Sequence, residues 1–289
     1  MNHNSLKFSA KIFIFSLVVF MASCKKNASD KKDNSTEAAE NNAFAEATFN
    51  DVTTLVDQAG INSNVTFGTR RGELRDGQIE TMGTAGATCA TLTIDTVSSP
   101  HSITIDFGST NCLCLDERTR RGKIIATFTG RYRETGTVIN ITLDNYYVND
   151  NKISATKKIT NQGNNQAGNQ VYKVEVTGQI IKANNGGTIT WNSTRYREWK
   201  AGANTPLNVL DDVYAITGDA SGTNANESSY TISITQELIR KMNCRWFETG
   251  KLELTQTGLP KINLDYGTTG CDANATVTIL GISYPVELK

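Results

Sequence analysis

The chain is poor in histidine: His3 and His101 are the only two among 289 residues. A Ser-His-Asp or Cys-His mechanism, or a multi-histidine metal site, would have to be built on one of them. His101 follows Ser98-Ser99-Pro100, a turn sequence that suits solvent better than catalysis. The phosphate-cradling Gly-Lys-Ser/Thr loop and the Gly-x-Ser-x-Gly nucleophile elbow are both absent. Basic excess is absent too, with 29 Lys and Arg against 29 Asp and Glu, which argues against a nucleic-acid partner. After residue 21 no apolar run is long enough to span a bilayer.

What is present begins with Cys24. A charged start (Lys7, Lys11), an apolar run Ile12–Met21 and the small residues Ala22 and Ser23 lead into it. The run is too short for a membrane span and fits a signal-peptide core. The arrangement resembles a bacterial lipoprotein export signal, which implies a signal peptide over residues 1–23 and lipidation of Cys24. The mature protein would then hang from a membrane by acyl chains such as palmitate, two or more of which anchor stably. Lys25, by resemblance to lipoprotein sorting rules, directs the protein to the outer membrane, with the periplasmic or surface face open. Export removes His3, Lys7 and Lys11, leaving 266 residues with His101 as the lone histidine.

Residues 24–42 hold almost no large apolar side chain and read as a lipidated cysteine with a flexible tether. Phe49, Val52, Leu55 and Val56 fall at helical spacing, so a short helix is expected over 43–60, capping the domain that follows. From about Val65 the period changes to two. Leu92 and Ile94, Ile139 and Ile141, Tyr172, Val174 and Val176, and Tyr230 and Ile232 alternate with polar residues. Turn signals such as Asn184-Asn185-Gly186-Gly187 separate the runs. The expectation is an all-β domain over 61–289, of antiparallel twisted sheets in a sandwich or open barrel, plus one short N-terminal helix.

The chain also repeats itself. Ile103-Thr104-Ile105-Asp106-Phe107-Gly108 through Cys112 matches Ile262-Asn263-Leu264-Asp265-Tyr266-Gly267 through Cys271, within repeats spanning about 89–135 and 244–289. Each copy has a second cysteine upstream, Cys89 and Cys244, and each pair brackets a predicted hairpin. Disulfides Cys89–Cys112 and Cys244–Cys271 are therefore expected. Cys114 is left to compete for Cys89 or to remain a free thiol. A weaker echo, Arg131-Tyr132-Arg133-Glu134 and Arg195-Tyr196-Arg197-Glu198, suggests either an anion patch of Arg131, Arg133, Arg195 and Arg197 or a solvated sheet face.

Other chemistry is thin. Asp144, Asp150, Asp211 and Asp212 form no calcium-loop pattern. Asp106, Asp265 and Glu198 offer carboxylates for glycoside hydrolysis without a spacing that singles out a pair. Trp191, Tyr196 and Trp199 could stack on a sugar or pack a core. No metal site or cofactor is called for.

The run from Asp116 to Ile125, with Gly130-Arg131-Tyr132, Asp144-Asn145-Tyr146-Tyr147, Asp211-Asp212-Val213-Tyr214, Cys244-Arg245-Trp246 and Asp265-Tyr266-Gly267, resembles a family of envelope lipoproteins common in Bacteroidota. That family has no assigned activity, so the resemblance implies location and no catalytic residues. Taken together, the expectation is a non-catalytic binding or structural module whose partners are the membrane, through its N-terminal lipid, and an envelope protein or glycan ligand. The alternatives are a glycan-binding or glycan-cleaving surface protein and a carrier of lipid or lipopolysaccharide.

Overall fold

A computed structural model describes residues 26–62, 89–205, 208–244, 246–268 and 270–288, with the side chains of its helix described over 37–59. Cys24, residues 1–23 and the start of the strand pattern near Val65 lie outside them. Within these residues one α-helix, α1 (Lys26–Asn62), precedes fourteen strands. The strands are β1 (Thr91–Asp95), β2 (His101–Asp106), β3 (Cys112–Leu113), β4 (Thr119–Phe128), β5 (Val138–Val148), β6 (Asn151–Asn164) and β7 (Gln170–Ile181). They continue as β8 (Thr188–Ala201), β9 (Val213–Thr223), β10 (Ser229–Lys241), β11 (Thr249–Gln256), β12 (Ile262–Asp265), β13 (Asn274–Ile279) and β14 (Ile282–Glu287).

Nearly every strand pairs antiparallel with its neighbour in sequence, forming one sheet with β1 and β14 at its edges and β3 appended to β4. Tight turns make such a meander, and the chain supplies left-handed residues where they are needed: Asn149 and Asp150 between β5 and β6, Asn184 and Asn185 between β7 and β8. The all-β expectation holds, and the period-two residues line one face. Ile139, Ile141, Tyr172, Val174, Val176, Tyr230 and Ile232 are all buried.

That face curls around α1, making an open barrel rather than a sandwich. Between Glu37 and Ala59 only Glu40 is exposed. The helix touches β2 and β4 near one edge, β8 in the middle and β11 toward the other. At Gly178 on β7, a Cβ would come within 2.3 Å of the Phe49 ring, so glycine is what lets the helix sit this close. No helix among the described residues is long and apolar enough to cross a membrane.

Two features differ from the expectation. The helix begins at Lys26, not near 43, so residues 26–42 are helical rather than a flexible tether. Its buried stripe over 38–46 is Ala38, Asn41, Asn42, Ala45 and Glu46, largely small or polar, which hides it from a search for apolar periodicity. It is also an enclosed strut rather than a cap, because the sheet surrounds it.

The repeat takes the expected form. Cys89–Cys112 and Cys244–Cys271 close across Cα separations of 5.9 and 5.5 Å, stapling the β1–β2 and β11–β12 hairpins. In both copies the aspartate ending the strand accepts the amide of the following glycine, Asp106 from Gly108 at 2.8 Å and Asp265 from Gly267 at 2.9 Å. Each also pairs with a lysine, Lys123 at 3.0 Å and Lys251 at 2.9 Å. The repeated Asp-aromatic-Gly is therefore a strand-ending turn. Cys114 is free and buried, and burial pushes its thiol pKa up despite the Arg120 charge nearby.

Candidate functional site: an apolar cavity beside the helix

The interior that receives α1 is more polar than a hydrophobic core, and these polar groups hold the helix in place. Arg120 is fully buried, and its guanidinium reaches Asp116 at 2.7 and 2.8 Å and Asp51 of the helix at 2.8 Å. Arg118 meets the same two carboxylates, Asp51 at 2.8 Å and Asp116 at 2.7 Å. Burial opposes ionisation of Asp116, yet the Arg120 hydrogen bond and charge outweigh it and hold its pKa below the usual carboxylate range. Lys157 donates to the Phe49 carbonyl at 2.9 Å, and burial pushes its pKa down to about 7. Trp191 donates to Asn42 at 2.8 Å and stacks on Phe49.

These contacts fix α1 but leave a space beside its N-terminal half. A cavity of about 440 Å³ lies there. Phe44 faces it from the helix; Val148 of β5 and Ile153 of β6 form one wall, and Leu264, Val277 and Val286 of β12–β14 another. Sheet curvature brings these distant strands together: β5–β6 and β12–β14 are far apart in strand order yet share one interior volume. At the cavity lie two cations, Arg118 and Lys182, and two exposed carboxylates, Glu40 and Glu287. Arg118 is held by Asp51 and Asp116. Lys182 donates to the side-chain amide oxygen of Asn41 at 2.6 Å, and Asn41 in turn donates to Asn224 at 3.0 Å.

The residues singled out from the sequence fall elsewhere. The four arginines form neither a surface patch nor a solvated sheet face. Arg131 and Arg133 sit in the turn between β4 and β5, Arg131 exposed and Arg133 stacked 4.5 Å over Trp199. Arg195 and Arg197 point inward on β8, alternating with outward Thr194, Tyr196 and Glu198. Arg195 is buried, donates to the Gly218 carbonyl at 2.7 Å and lies 3.5 Å from Glu46 of α1. Arg197 lies 4.3 Å over the Tyr214 ring. The helix supplies the carboxylate that makes an inward arginine tolerable.

Trp191 and Trp199 share that inward face and are buried, while Tyr196 is outward, so the three build no sugar-stacking platform. Asp106, Asp265 and Glu198 lie on three different strands. Each has a lowered pKa, from the Gly108 amide, the Lys251 hydrogen bond and the Asn169 hydrogen bond respectively. A glycosidase acid needs the opposite shift. Among the described residues no three His, Cys, Asp or Glu side chains gather as metal ligands. The cavity itself had no sequence signal, since its walls are ordinary strand residues. No protein family, curated protein or solved structure matches the chain.

Proposed function

We propose that this chain is a lipid-anchored envelope protein, held at the outer membrane through Cys24, that binds an apolar ligand in the cavity beside α1 without transforming it. The observation that carries this reading is the cavity: about 440 Å³ inside the barrel, with an apolar wall of Phe44, Val148, Ile153, Leu264, Val277 and Val286. Ligand sites are concave, apolar and of this size. Packed interiors hold few voids larger than a water molecule. Support for binding over turnover comes from the polar groups nearby. Arg118 is committed to structural carboxylates, and the thiol Cys114 is buried with a raised pKa. The envelope location is supported by the resemblance to Bacteroidota lipoproteins and by the lipoprotein-like signal before Cys24, and the disulfides suit an oxidising compartment.

The test is purification of the native lipidated protein from its own envelope, with mass spectrometry of extracted small molecules. A near-stoichiometric apolar compound is expected, absent from a Val277→Trp variant that fills the cavity. The same compound retained by that variant would place binding elsewhere, and conversion of it during incubation would refute a non-catalytic role.

A further inference from the structure

We infer that the cavity takes one acyl chain of a single-chain amphiphile whose anionic group, a carboxylate or a phosphate, is met by Lys182; this rests on the binding reading above and narrows its ligand. The volume sets the number of chains. At about 440 Å³ the cavity lies toward the lower end of the roughly 300–1,000 Å³ range of sites that bury one small ligand, a size that suits a single acyl chain better than two. The lining sets its character. Leu264, Val277 and Val286 face Phe44 and Ile153, and polar side chains of the lining are engaged within the protein: Asn41 donates to Asn224, Thr48 to the Phe44 carbonyl and Asn151 to the Val148 carbonyl.

The charges set the headgroup. Arg118 is spent on Asp51 and Asp116, while Lys182 ends on a neutral amide at 2.6 Å and keeps ammonium donors for an incoming anion. Glu40 and Glu287, exposed at the same cavity, favour a headgroup that also carries a positive charge. A lysophosphatidylethanolamine therefore ranks above a free fatty acid. The chain's own lipid is the poorer occupant. Helix α1 is continuous from Lys26, and among the residues whose side chains are described Ala39 is the first to line the cavity. At 1.5 Å per residue the two are roughly 20 Å apart, so a chain on Cys24 would have to double back along the helix to enter.

Photolabelling of the full-length lipidated protein in phosphatidylcholine vesicles tests this. The probes are diazirine-bearing palmitate, its lysophosphatidylethanolamine, the corresponding diacyl phosphatidylethanolamine and a headless diazirine hydrocarbon, with labelled peptides mapped by mass spectrometry. Both single-chain probes should label the peptides holding Phe44 and Val277, the lysophospholipid more strongly. The diacyl probe should label them at least tenfold less. Lys182→Ala should lower single-chain labelling about tenfold and leave the hydrocarbon unchanged. Val277→Trp, or Ala47→Trp if the former misfolds by circular dichroism, should abolish cavity labelling by every probe.

Labelling by the hydrocarbon but by neither single-chain probe overturns the ligand class and leaves the cavity reading standing. No labelling of these peptides by any probe overturns both. Equal labelling by the diacyl probe overturns the one-chain limit. Labelling that appears only in a Cys24→Ser variant means the chain's own lipid fills the cavity, and overturns the inference.

Discussion

Replacing Asp51 by asparagine removes the carboxylate that ties α1 to Arg118 and Arg120. Both of its oxygens are used, Oδ1 by Arg118 and Oδ2 by Arg120, each at 2.8 Å. The Arg120 side chain is wholly buried and that of Asp51 only 11 % exposed, so water cannot replace the lost partner. Breaking a buried pair by deleting one member costs about 3–5 kcal/mol, because the other charge is stranded. Arg120 is not fully stranded here, since Asp116 still holds it at 2.7 and 2.8 Å. We therefore expect a smaller loss, about 2–3 kcal/mol. Urea unfolding followed by tryptophan fluorescence should show a midpoint lowered by about 1 M at unchanged slope. Glu253→Gln is the control: it breaks a pair with Lys261 whose side chain is 63 % exposed, and should cost under about 1 kcal/mol. Equal losses in the two variants would refute the claim that this buried network docks the helix. A second arm uses pH. Asp116 has its folded pKa depressed, so its contribution is complete above the unfolded value near 4 and fades as pH falls through the folded one. Wild type should lose stability below about pH 4 more steeply than Asp116→Asn.

Lys157 gives the same direction by a different cause, burial that disfavours its charge. Its folded pKa, about 7, lies below its unfolded value, so between the two the unfolded chain binds more protons and stability rises with pH. The stability of wild type relative to Lys157→Met should climb between pH 7.5 and 9.5, by on the order of a few kcal/mol, in paired urea titrations; a flat difference would refute a depressed pKa. The disulfide Cys244–Cys271 encloses a separation of 27 residues, and its removal in a Cys244→Ala/Cys271→Ala variant should cost about 3.5 kcal/mol. In the same protein, unreduced, Cys114 should resist a thiol reagent in the native state and react once urea unfolds the chain. Rapid native labelling would contradict its burial.

The alternation of Tyr172, Val174 and Val176 on β7 was legible without coordinates, because a strand must turn successive side chains to opposite faces. So were the two disulfides, since a hairpin with a cysteine near each open end brings those ends together. On β8 the same rule separates Ile189, Trp191, Ser193, Arg195, Arg197 and Trp199 from Asn192, Thr194, Tyr196 and Glu198, but it does not say which set is inside. Both sets carry charge and an aromatic ring. The choice depends on Glu46, nearly 150 positions earlier, arriving as the counterion of Arg195. The helix over 26–42 stayed hidden for a related reason. Buried Asn41 and Asn42, with Glu46 one turn on, look like solvent-facing residues until Asn224, Trp191 and Arg195 are placed against them.

The amino-acid sequence by itself determined the all-β meander, its stapled hairpins, the absence of a catalytic histidine set and the expectation of export behind Cys24. These are local properties: alternation, turn residues, cysteine placement and composition act over a few neighbours. Only the tertiary structure decided that the sheet curls about α1, that Arg133, Arg195 and Arg197 of the paired Arg-Tyr-Arg-Glu segments turn toward interior rings and carboxylates, and that a cavity remains beside Phe44. Those outcomes depend on how the curvature of one long sheet brings β5–β6 and β12–β14 around the same helix, a sum over many strands that no single segment encodes.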